Sequence, residues 1–551
     1  MNLLGGSARP RTAGRRRRAT GTGGIALAAL LTAASLPVLV AQPQPAQAET
    51  TPGERAPACA PWDRECRVNR YLDRIRDRPE KLDEFLRTMP KGGDLHNHLS
   101  GSVSTESLIR YAAEDGRCID AETMQSSLAP CTEGQRPASD AVSDPEFRER
   151  VIGAWSMAGF EPGGEESGHD HFFATFGKFW AATEGRDGDM LAEVASDLAE
   201  QNQFYLETLL SRQSEARGEL VERVGFDPSS EREFRRLREV LLREGLRDVE
   251  RAARRQTDRD FARYRELLNC GTPSARPGCG VEVRLDYQVA RANSPASVFT
   301  QLLLGFELAQ SDPRFVGLNM VQPEDHEISL RDYTLHMRMI DYLSEQYPEV
   351  SVSLHAGELV PGLVKPEELT HHIDQAVRIA GADRIGHGID LRHEDDWRAL
   401  ADHMAERDIP VEVPLTSNCQ ILRVCGPEEH PLPDYMAHDV PYALATDDPG
   451  VSRSDITAQY SRAATDFGLS YSQLKASART SLEHAFIQGE SLWAKSGSHR
   501  MKPACASDTP GFGKASTAAC AELLASSPKA KLQWRQEAAF HAFETYYAAK
   551  L

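Results

Sequence analysis

The second half of the chain alternates short β-rich runs with stretches whose apolar residues recur at helical spacing. The first complete unit has a β-rich run at 281–286 and a helical pattern near 296–310. Strand-then-helix units that recur about every 25–35 residues are typical of a parallel sheet covered by helices. The later strands predicted in this series are 315–319, 350–354, 384–385, 410–413 and 442–445.

Two earlier β-rich runs, one ending at Leu95 and one near 204–209, raise the number of predicted strands to eight. Eight parallel β/α units close into a barrel, so the predicted fold class is α/β, a (β/α)8 TIM barrel with helical insertions. The predicted division of the chain is a helical lead-in at 49–88, the barrel at 89–494, insertions near 115–164 and 214–280, and a C-terminal extension at 495–551.

The first 48 residues, 1–48, have the composition of a secretory signal peptide. Six arginines within 9–18 precede an apolar run at 25–40, and Ala-Gln-Ala at 46–48 forms a small-x-small cleavage site. That order is the signature of an export signal that is removed on secretion. A membrane anchor is the alternative, but this run is interrupted by Pro37 and is shorter than the about 20 residues of a span. We therefore expect a secreted, extracellular protein, and leave open whether it uses the general or the twin-arginine route.

The ten cysteines fall into five pairs of near neighbours. An even number of cysteines in an exported chain indicates disulfides, and pairing within each close pair is the simplest arrangement. No pair is C-x-x-C, which argues against a cysteine zinc site or a redox motif. The pairs are Cys59/Cys66, Cys118/Cys131, Cys270/Cys279, Cys419/Cys425 and Cys505/Cys520.

The net negative charge of the chain argues against nucleic acid as a binding partner. Without the six leader arginines, 57 of the 63 Lys and Arg residues remain against 82 Asp and Glu residues, a formal charge of −25. A surface this acidic repels nucleic-acid backbones, so we expect no nucleic-acid partner. A second long apolar run does not follow the leader, so we expect no membrane segment in the mature form.

Four predicted strands end in clusters of residues that bind metals or transfer protons. Catalytic groups of (β/α)8 barrels lie where the strands end, on one face of the barrel. Residues two apart in a strand point the same way, so His96 and His98 are placed to approach one metal ion together. The clusters are Asp94-Leu95-His96-Asn97-His98, His355-Ala356-Gly357-Glu358, Gly386-His387-Gly388 and Thr446-Asp447-Asp448-Pro449.

Three imidazoles and one carboxylate in these clusters form a set of donors suited to one Zn²⁺ per chain, with room for a water molecule. Zinc lowers the pKa of such a water to about 7 and so supplies a nucleophile at neutral pH. The predicted ligands are His96, His98, His355 and Asp447.

Three further residues of the clusters lie beside this set. Glu358, three residues after a ligand, is placed to protonate the group under attack. His387 is placed either to orient or to deprotonate the water. Asp448, adjacent to a ligand, is placed to face the substrate.

These clusters closely resemble the motifs of the adenosine deaminase family of amidohydrolase-type barrels, from about Met89 to Leu492. The resemblance implies the same four zinc ligands, with Glu358 as proton donor to purine N1, His387 activating the water and Asp448 bonded to purine N7. The opening motif, the insertions and the export signal resemble the secreted growth-factor-like subfamily, which implies a homodimer. The motifs are Met89-Pro-Lys-Gly-Gly-Asp-Leu-His-Asn-His98, Ser353-Leu-His-Ala-Gly-Glu358, Arg384-Ile-Gly-His-Gly388, Leu415-Thr-Ser-Asn418 and Thr446-Asp-Asp-Pro-Gly450.

Two positions depart from that family's pattern, and both are expected to bind substrate. Ser100 stands where the family carries an acidic residue that meets the ribose. Gln322 stands at the turn where the family presents a glycine to purine N3. The departures leave the predicted metal ligands and proton donor unchanged.

The predicted function is therefore hydrolysis of a small-molecule purine nucleoside, adenosine and also 2′-deoxyadenosine, to the inosine product and ammonia. One alternative is deamination of another 6-aminopurine, such as adenine or an N6-substituted AMP. A second is a binuclear amidohydrolase, which would need a bridging lysine that the strand at 316–320 lacks. A third is a non-catalytic secreted binding or signalling protein on the same fold, against which Glu358 and His387 argue.

Two other histidine pairs are interpreted as structural. His169 and His171 begin an aromatic segment, 169–180, that resembles the apolar flap of the family; a second metal site is the less favoured interpretation. His371 and His372 are expected to be a solvated pair on a helix predicted near 367–379.

Overall fold

Eight parallel strands in the computed structural model form one sheet whose spatial order follows the order of the chain. All eight correspond to predicted strands. With strands numbered in chain order, they are β1 Gly93–Asp94, β5 Tyr205–Leu210, β6 Glu282–Ala290, β7 Phe315–Val321, β8 Ser351–Ala356, β9 Arg384–His387, β10 Val411–Val413 and β11 Tyr442–Leu444.

The sheet closes on itself beyond the ends of its first and last strands. Asn97 and Asp447 form a parallel bridge, and the backbone N–H of Asp447 donates to the carbonyl of His96 at 2.8 Å. The predicted (β/α)8 barrel is therefore confirmed. Because the closing contacts involve Asp447 and His96 themselves, closure brings two of the predicted metal ligands together.

The structure describes residues 59–60, 62–161, 166–511, 515 and 517–550. The predicted signal peptide at 1–48 and the first part of the lead-in, 49–58, lie outside the described residues. Within the described ranges, no helix is long and apolar enough to cross a membrane.

Helices follow the barrel strands and cover the sheet. The helix after β6 begins where Ser294 caps the N–H of Ser297, next to Pro295, and it packs against both β6 and β7. The helices are α1 Arg64–Ile75, α2 Pro79–Thr88, α3 Leu99–Ser102, α4 Thr105–Glu114, α5 Ser139–Ser143, α6 Pro145–Trp155, α7 Gly168–Thr183, α8 Asp187–Glu200, α9 Ser214–Val224, α10 Glu231–Glu244, α11 Leu246–Leu267, α12 Pro295–Ser311, α13 Glu327–Gln346, α14 His372–Gln375, α15 Trp397–Arg407, α16 Leu415–Leu422, α17 Leu432–Ala437, α18 Pro449–Ser452, α19 Ile456–Thr465, α20 Tyr471–Glu483, α21 Ala518–Ser526 and α22 Pro528–Ala548.

The connection between β8 and β9 differs from the single helix predicted near 367–379. It consists of a 3₁₀ turn at Pro366–Leu369, the short α14 and a π-helical turn at Ala376–Ala380. The carboxylate of Glu394 accepts the N–H groups of Ile373 and Asp374. Because an acceptor from a later loop satisfies these N–H groups, a new helix begins at this point.

Segments outside the barrel repeat pack onto it. Residues 118–137 form a three-stranded antiparallel sheet of β2 Cys118–Asp120, β3 Ser126–Ser127 and β4 Gln135–Pro137, in the order β3-β2-β4. At the two ends of the described chain, the ring of Phe85 on α2 lies 5.0 Å from that of Phe543 and 4.8 Å from that of Tyr547 on α22. An aromatic cluster thus joins the lead-in helices to the last helix.

All ten cysteines are paired, and the five disulfides are the five predicted close pairs. Each bond closes a loop of 6 to 15 residues. The disulfides therefore staple local segments and use none of the residues of the barrel's strand ends.

Candidate active site

The four predicted metal ligands meet at the carboxyl ends of the strands. His96 and His98 follow β1, His355 is the penultimate residue of β8, and Asp447 follows β11. All four residues are buried, and one nitrogen or oxygen from each lies within 4.8 Å of the others.

The distances within this group fit a metal site. His355 Nε2 lies 3.0 Å from His96 Nε2 and 3.3 Å from His98 Nε2, and Asp447 Oδ1 lies 3.5 Å and 3.2 Å from the same two nitrogens. Ligand atoms 2.0–2.1 Å from a tetrahedral zinc ion are about 3.3 Å apart. The distances between these atoms are therefore those expected between ligand atoms of one zinc ion.

The other ring nitrogen of each ligand histidine contacts a side-chain oxygen. Nδ1 of His96 lies 2.7 Å from Glu412 Oε2, Nδ1 of His98 lies 3.2 Å from Gln288 Oε1, and Nδ1 of His355 lies 2.9 Å from Asn319 Oδ1. An acceptor at Nδ1 favours the proton there and leaves Nε2 free to bind a metal. The donor set and its outer partners therefore fit zinc.

The acceptor of His96 belongs to a buried charge cluster inside the barrel. Glu412 also contacts Arg384, which in turn lies 2.6 Å from Glu207. Burial opposes ionisation of Glu412, but the charge of Arg384 and the hydrogen bond from His96 outweigh it and lower the pKa of this carboxyl to about 2. Glu412 is therefore an anion that holds the His96 ring in place.

His387, at the end of β9, lies beside the ligands. Its Nδ1 is 2.9 Å from Asn418 Oδ1, and its buried Nε2 has no hydrogen-bond partner among the described residues. Nε2 lies 3.9 Å from Asp447 Oδ2. Burial lowers the pKa of His387 to about 4, so the ring is neutral near pH 7. A free nitrogen of a neutral imidazole thus faces the ligand group.

Glu358 is a buried carboxyl that holds its proton. Burial raises the pKa of Glu358 to about 8, and the negative charges of Asp447 and Glu324 act in the same direction. Its oxygen Oε1 lies 3.7 Å from His387 Nδ1. A carboxylic acid that stays protonated at neutral pH, next to a metal-ligand group, is suited to general acid catalysis.

Asp448 is a second protonated acid. Burial and the neighbouring charge of Asp447 raise the pKa of Asp448 well above its usual range, and its Oδ1 has no hydrogen-bond partner among the described residues. The approach of α3 to this side chain requires Gly101, since a Cβ there would lie 1.7 Å from Asp448 Oδ1. Asp448 can therefore donate a hydrogen bond to an acceptor in the site.

The remaining two predicted site residues are placed differently. Ser100 lies on α3, two residues after His98, and is half-buried. Gln322 is exposed and adopts a left-handed backbone conformation with φ of 81°. Its Oε1 accepts the N–H of Ala292 at 2.9 Å. The contact with Ala292 holds the side chain of Gln322 on the loop after β6, and its role in binding substrate stays a prediction.

Comparisons with known proteins agree with this geometry. Residues 247–493 match the family model described as adenosine deaminase, and that range contains His355, Glu358, His387, Asp447 and Asp448. A stretch of 139 residues is 39% identical to the adenosine deaminase of Escherichia coli O1:K1, covering 25% of this chain and 38% of that protein. The match to the adenosine deaminase family model spans 247 of the 551 residues of the chain.

The aligned stretch is less than two fifths of the length of the curated relatives, and membership of the growth-factor-like subfamily stays a prediction. Among solved structures, an adenine deaminase from Arthrobacter aurescens is 16% identical, with a TM-score of 0.47 over 72% of this chain and 94% of that one. The N6-methyl-AMP deaminase from Arabidopsis thaliana is 19% identical, with a TM-score of 0.48 over 74% and 94%.

The sequence analysis missed several residues that support the site. Glu324, on the loop after β7, accepts the backbone N–H groups of Gly357 at 3.2 Å and of Glu358 at 2.8 Å. Arg291, after β6, donates to the carbonyls of Met320 and His355. A charged residue inside or just after an apolar strand, as at Glu412 in Val-Glu-Val, is the signal that would have indicated such supports.

The predictions for the other two histidine pairs agree with the structure for the first pair but not for the second. His169 and His171 each contact carboxylates: Nε2 of His169 lies 3.0 Å from Asp325, and Nδ1 of His171 lies 3.0 Å from Glu166. These contacts agree with the structural interpretation. The expectation of a solvated pair at 371 and 372 is wrong for His372, which is fully buried, because its ring packs beneath α13.

Proposed function

We propose that this protein is a secreted, zinc-dependent deaminase that hydrolyses adenosine and 2′-deoxyadenosine to the corresponding inosine and ammonia. The observation that carries the proposal is the buried convergence of three imidazoles and one carboxylate beside a carboxyl whose pKa is raised to about 8 by burial. The match of residues 247–493 to the adenosine deaminase family supports the same chemistry.

His96, His98, His355 and Asp447 would hold the metal. When bound, zinc supplies a Lewis acid that lowers the pKa of a water molecule and so provides a nucleophile near neutral pH. The three outer acceptors, Glu412, Gln288 and Asn319, hold the Nδ1 side of each ring and so direct Nε2 towards the shared site. The cluster therefore needs little rearrangement to accept the ion.

Glu358 is the proposed proton donor. As water oxygen bonds to carbon 6 of the purine, electron density moves onto ring nitrogen N1, which takes a proton from Glu358. The 6-amino group then leaves as ammonia with one proton of the water, and the other proton of the water passes to Glu358, which regains its protonated state. Because burial raises the pKa of Glu358 to about 8, the acid is already protonated when the substrate arrives.

His387 and Asp448 are proposed to position the reactants. Neutral His387 faces the ligand group through Nε2, where it can hydrogen-bond to the attacking water and fix its direction. Asp448 retains its proton because burial raises its pKa, so it can donate to the purine nitrogen N7, which only accepts. These two contacts would hold carbon 6 against the nucleophile.

Secretion belongs to the same proposal. All ten cysteines form disulfides, and structural disulfides persist in oxidising compartments. The leader at 1–48 provides a route to such a compartment. Finding the mature chain in the culture supernatant, beginning after residue 48, is the expected result.

The experiment compares wild type with Glu358→Gln, following the ultraviolet change on deamination of adenosine and measuring bound metal in parallel. Gln is isosteric but cannot donate the proton, so kcat should fall by about 10²–10⁴-fold while metal content stays the same. Near-normal turnover would contradict the role of Glu358. Absence of turnover in wild type that carries its metal would contradict the proposed function.

A further inference from the structure

A second histidine-containing cluster lies on the connection between β8 and β9. His372 begins α14 and is fully buried. Its Nδ1 lies 2.6 Å from Glu324 Oε1, whereas its Nε2 is buried and has no hydrogen-bond partner among the described residues. A buried polar atom without a hydrogen-bond partner lowers the stability of the folded state. A ligand that binds Nε2 would remove this cost.

The hydrogen bond to Glu324 determines where the proton of His372 lies. The carboxylate of Glu324 lies 3.8 Å from the guanidinium of Arg291 and accepts the backbone N–H groups of Gly357 and Glu358. An ionised carboxylate only accepts hydrogen bonds. Nδ1 is therefore the donor, and in the neutral ring the lone pair is on Nε2.

Two other ligand-type side chains lie beside His372. Glu368 Oε2, on the preceding 3₁₀ turn, lies 3.9 Å from His372 Nε2. One ring nitrogen of His371 completes a group whose three atoms lie within 4.8 Å of one another. At 3.9 Å, Glu368 is too far away to be a hydrogen-bond partner of the ring, and this distance is close to the about 3.3 Å that separates two ligand atoms of a tetrahedral zinc ion.

The cluster is held rigidly from outside. The ring of Tyr333 on α13 stacks on His372 with centroids 3.8 Å apart and an interplanar angle of 11°, and the Tyr333 hydroxyl donates to the His372 carbonyl at 2.8 Å. A carboxylate on Nδ1 with Nε2 left free is the arrangement that orients metal-binding histidines. His96 has the same arrangement with Glu412 at the first site.

We propose that Glu368, His371 and His372 form a second divalent-metal site, which takes Zn²⁺. Two imidazoles and a carboxylate are a donor set suited to zinc. Glu368 and His371 are half-buried, which gives an ion a path from solvent and leaves the remaining coordination positions for water. This site is separate from the four strand-end ligands and shares none of them.

The proposed site is connected to the strand-end cluster through Glu324. The carboxylate that binds His372 Nδ1 also accepts the backbone N–H of Gly357 and of Glu358. An ion at the second site would fix His372, and with it the carboxylate that anchors the backbone of Glu358. The metal would therefore stabilise the connection between β8 and β9 and hold the loop that carries Glu358.

The test counts zinc per chain after chelation, reloading in excess Zn²⁺ and removal of the unbound ion, with elemental analysis as the readout. Wild type should bind two zinc ions per chain. Glu368→Gln, His371→Ala and their double variant should bind one, and Asp447→Ala should also bind one. Glu367→Gln, which removes the exposed acid next to Glu368, and His403→Ala, a half-buried histidine on α15, should still bind two.

Zinc should also raise the melting temperature of Asp447→Ala, because the second site remains, and this shift should disappear when Glu368→Gln and His371→Ala are added. One zinc per wild-type chain that Asp447→Ala removes would overturn the proposal, as would a second zinc that survives in the Glu368/His371 variants. Ammonia release with only one zinc bound would overturn the second site alone. Two zinc ions without ammonia release would instead contradict the proposed function.

Discussion

Replacing Glu412 by Gln should weaken metal binding at the strand-end site, although Glu412 is not a ligand. Its Oε2 lies 2.7 Å from Nδ1 of the ligand His96. Loss of such an outer partner typically reduces metal affinity by about 10–100-fold, which corresponds to about 1.4–2.7 kcal/mol. The amide keeps the shape of the carboxylate but removes the charge that holds the imidazole proton on Nδ1.

The same substitution should also destabilise the metal-free protein, by an amount that follows from the pKa of Glu412. Arg384 and His96 outweigh burial and lower this pKa from 4.5 to about 2. A lowered pKa means that the folded state favours the ionised form, so the stabilisation is complete above pH 4.5 and is lost as pH falls through about 2. A difference of about 2.5 pKa units is worth about 3 kcal/mol at neutral pH.

Glu207→Gln provides the matched control. Glu207 is equally buried and lies 2.6 Å from the same Arg384, but among the described residues it forms no hydrogen bond with a histidine. The Glu207→Gln substitution should lower the free energy of unfolding but change metal affinity by less than about twofold, since the outer partner of His96 remains. Metal affinity is measured by competition with a chromophoric chelator, and stability by urea unfolding of the metal-free proteins. Equal losses of metal affinity in the two variants, or no loss in Glu412→Gln, would show that Glu412 does not support metal binding through His96.

Three further outcomes are expected. Because Glu358 must carry a proton and burial raises its pKa to about 8, kcat/KM should fall about tenfold per pH unit above that value; a flat profile to pH 10 would contradict this. Burial also raises the pKa of Glu394 to about 8, so the folded state retains a proton that the unfolded state loses above pH 4.5, and stability falls as pH rises between these values. Glu394→Gln should remove that slope of about 1.4 kcal/mol per pH unit, as measured by unfolding at pH 5 and pH 8; an unchanged slope would argue against it. Reducing the disulfides, which close loops of 6 to 15 residues, should lower the melting temperature but leave metal content unchanged, and early loss of metal would contradict the ligand set.

The barrel and the converging residues could be predicted because their signals are local. The alternation of β-rich runs with helical patterns predicted all eight strands, and parallel strands bring their carboxyl ends to one face. His96 and His98 follow one strand, and His355 ends another, so their convergence needs no knowledge of side-chain packing. The disulfide pairs could be predicted for the same reason, because the paired cysteines lie only 6 to 15 residues apart in the sequence.

The supports of the site could not be predicted, because each depends on contacts between distant segments. Glu412 is 316 residues from His96 in sequence, and within its own strand it is one acidic residue in an apolar run. The break before α14 comes from a cap that Glu394 provides from a later loop. In the sequence, His372 is one of two adjacent histidines on a predicted helix. Its burial depends on the ring of Tyr333 on α13, which stacks on it.

Deamination assays on the metal-depleted and the zinc-reloaded mature protein show whether the protein is a zinc-dependent adenosine deaminase. Adenosine, 2′-deoxyadenosine, adenine, AMP and N6-methyl-AMP are assayed side by side by their ultraviolet change, with released ammonia as a second readout. We expect turnover of adenosine and 2′-deoxyadenosine that a chelator abolishes and zinc restores, and no turnover by Asp447→Ala. Turnover of only a different 6-aminopurine would contradict the proposed substrate, and silence on all five with zinc bound would contradict a purine deaminase.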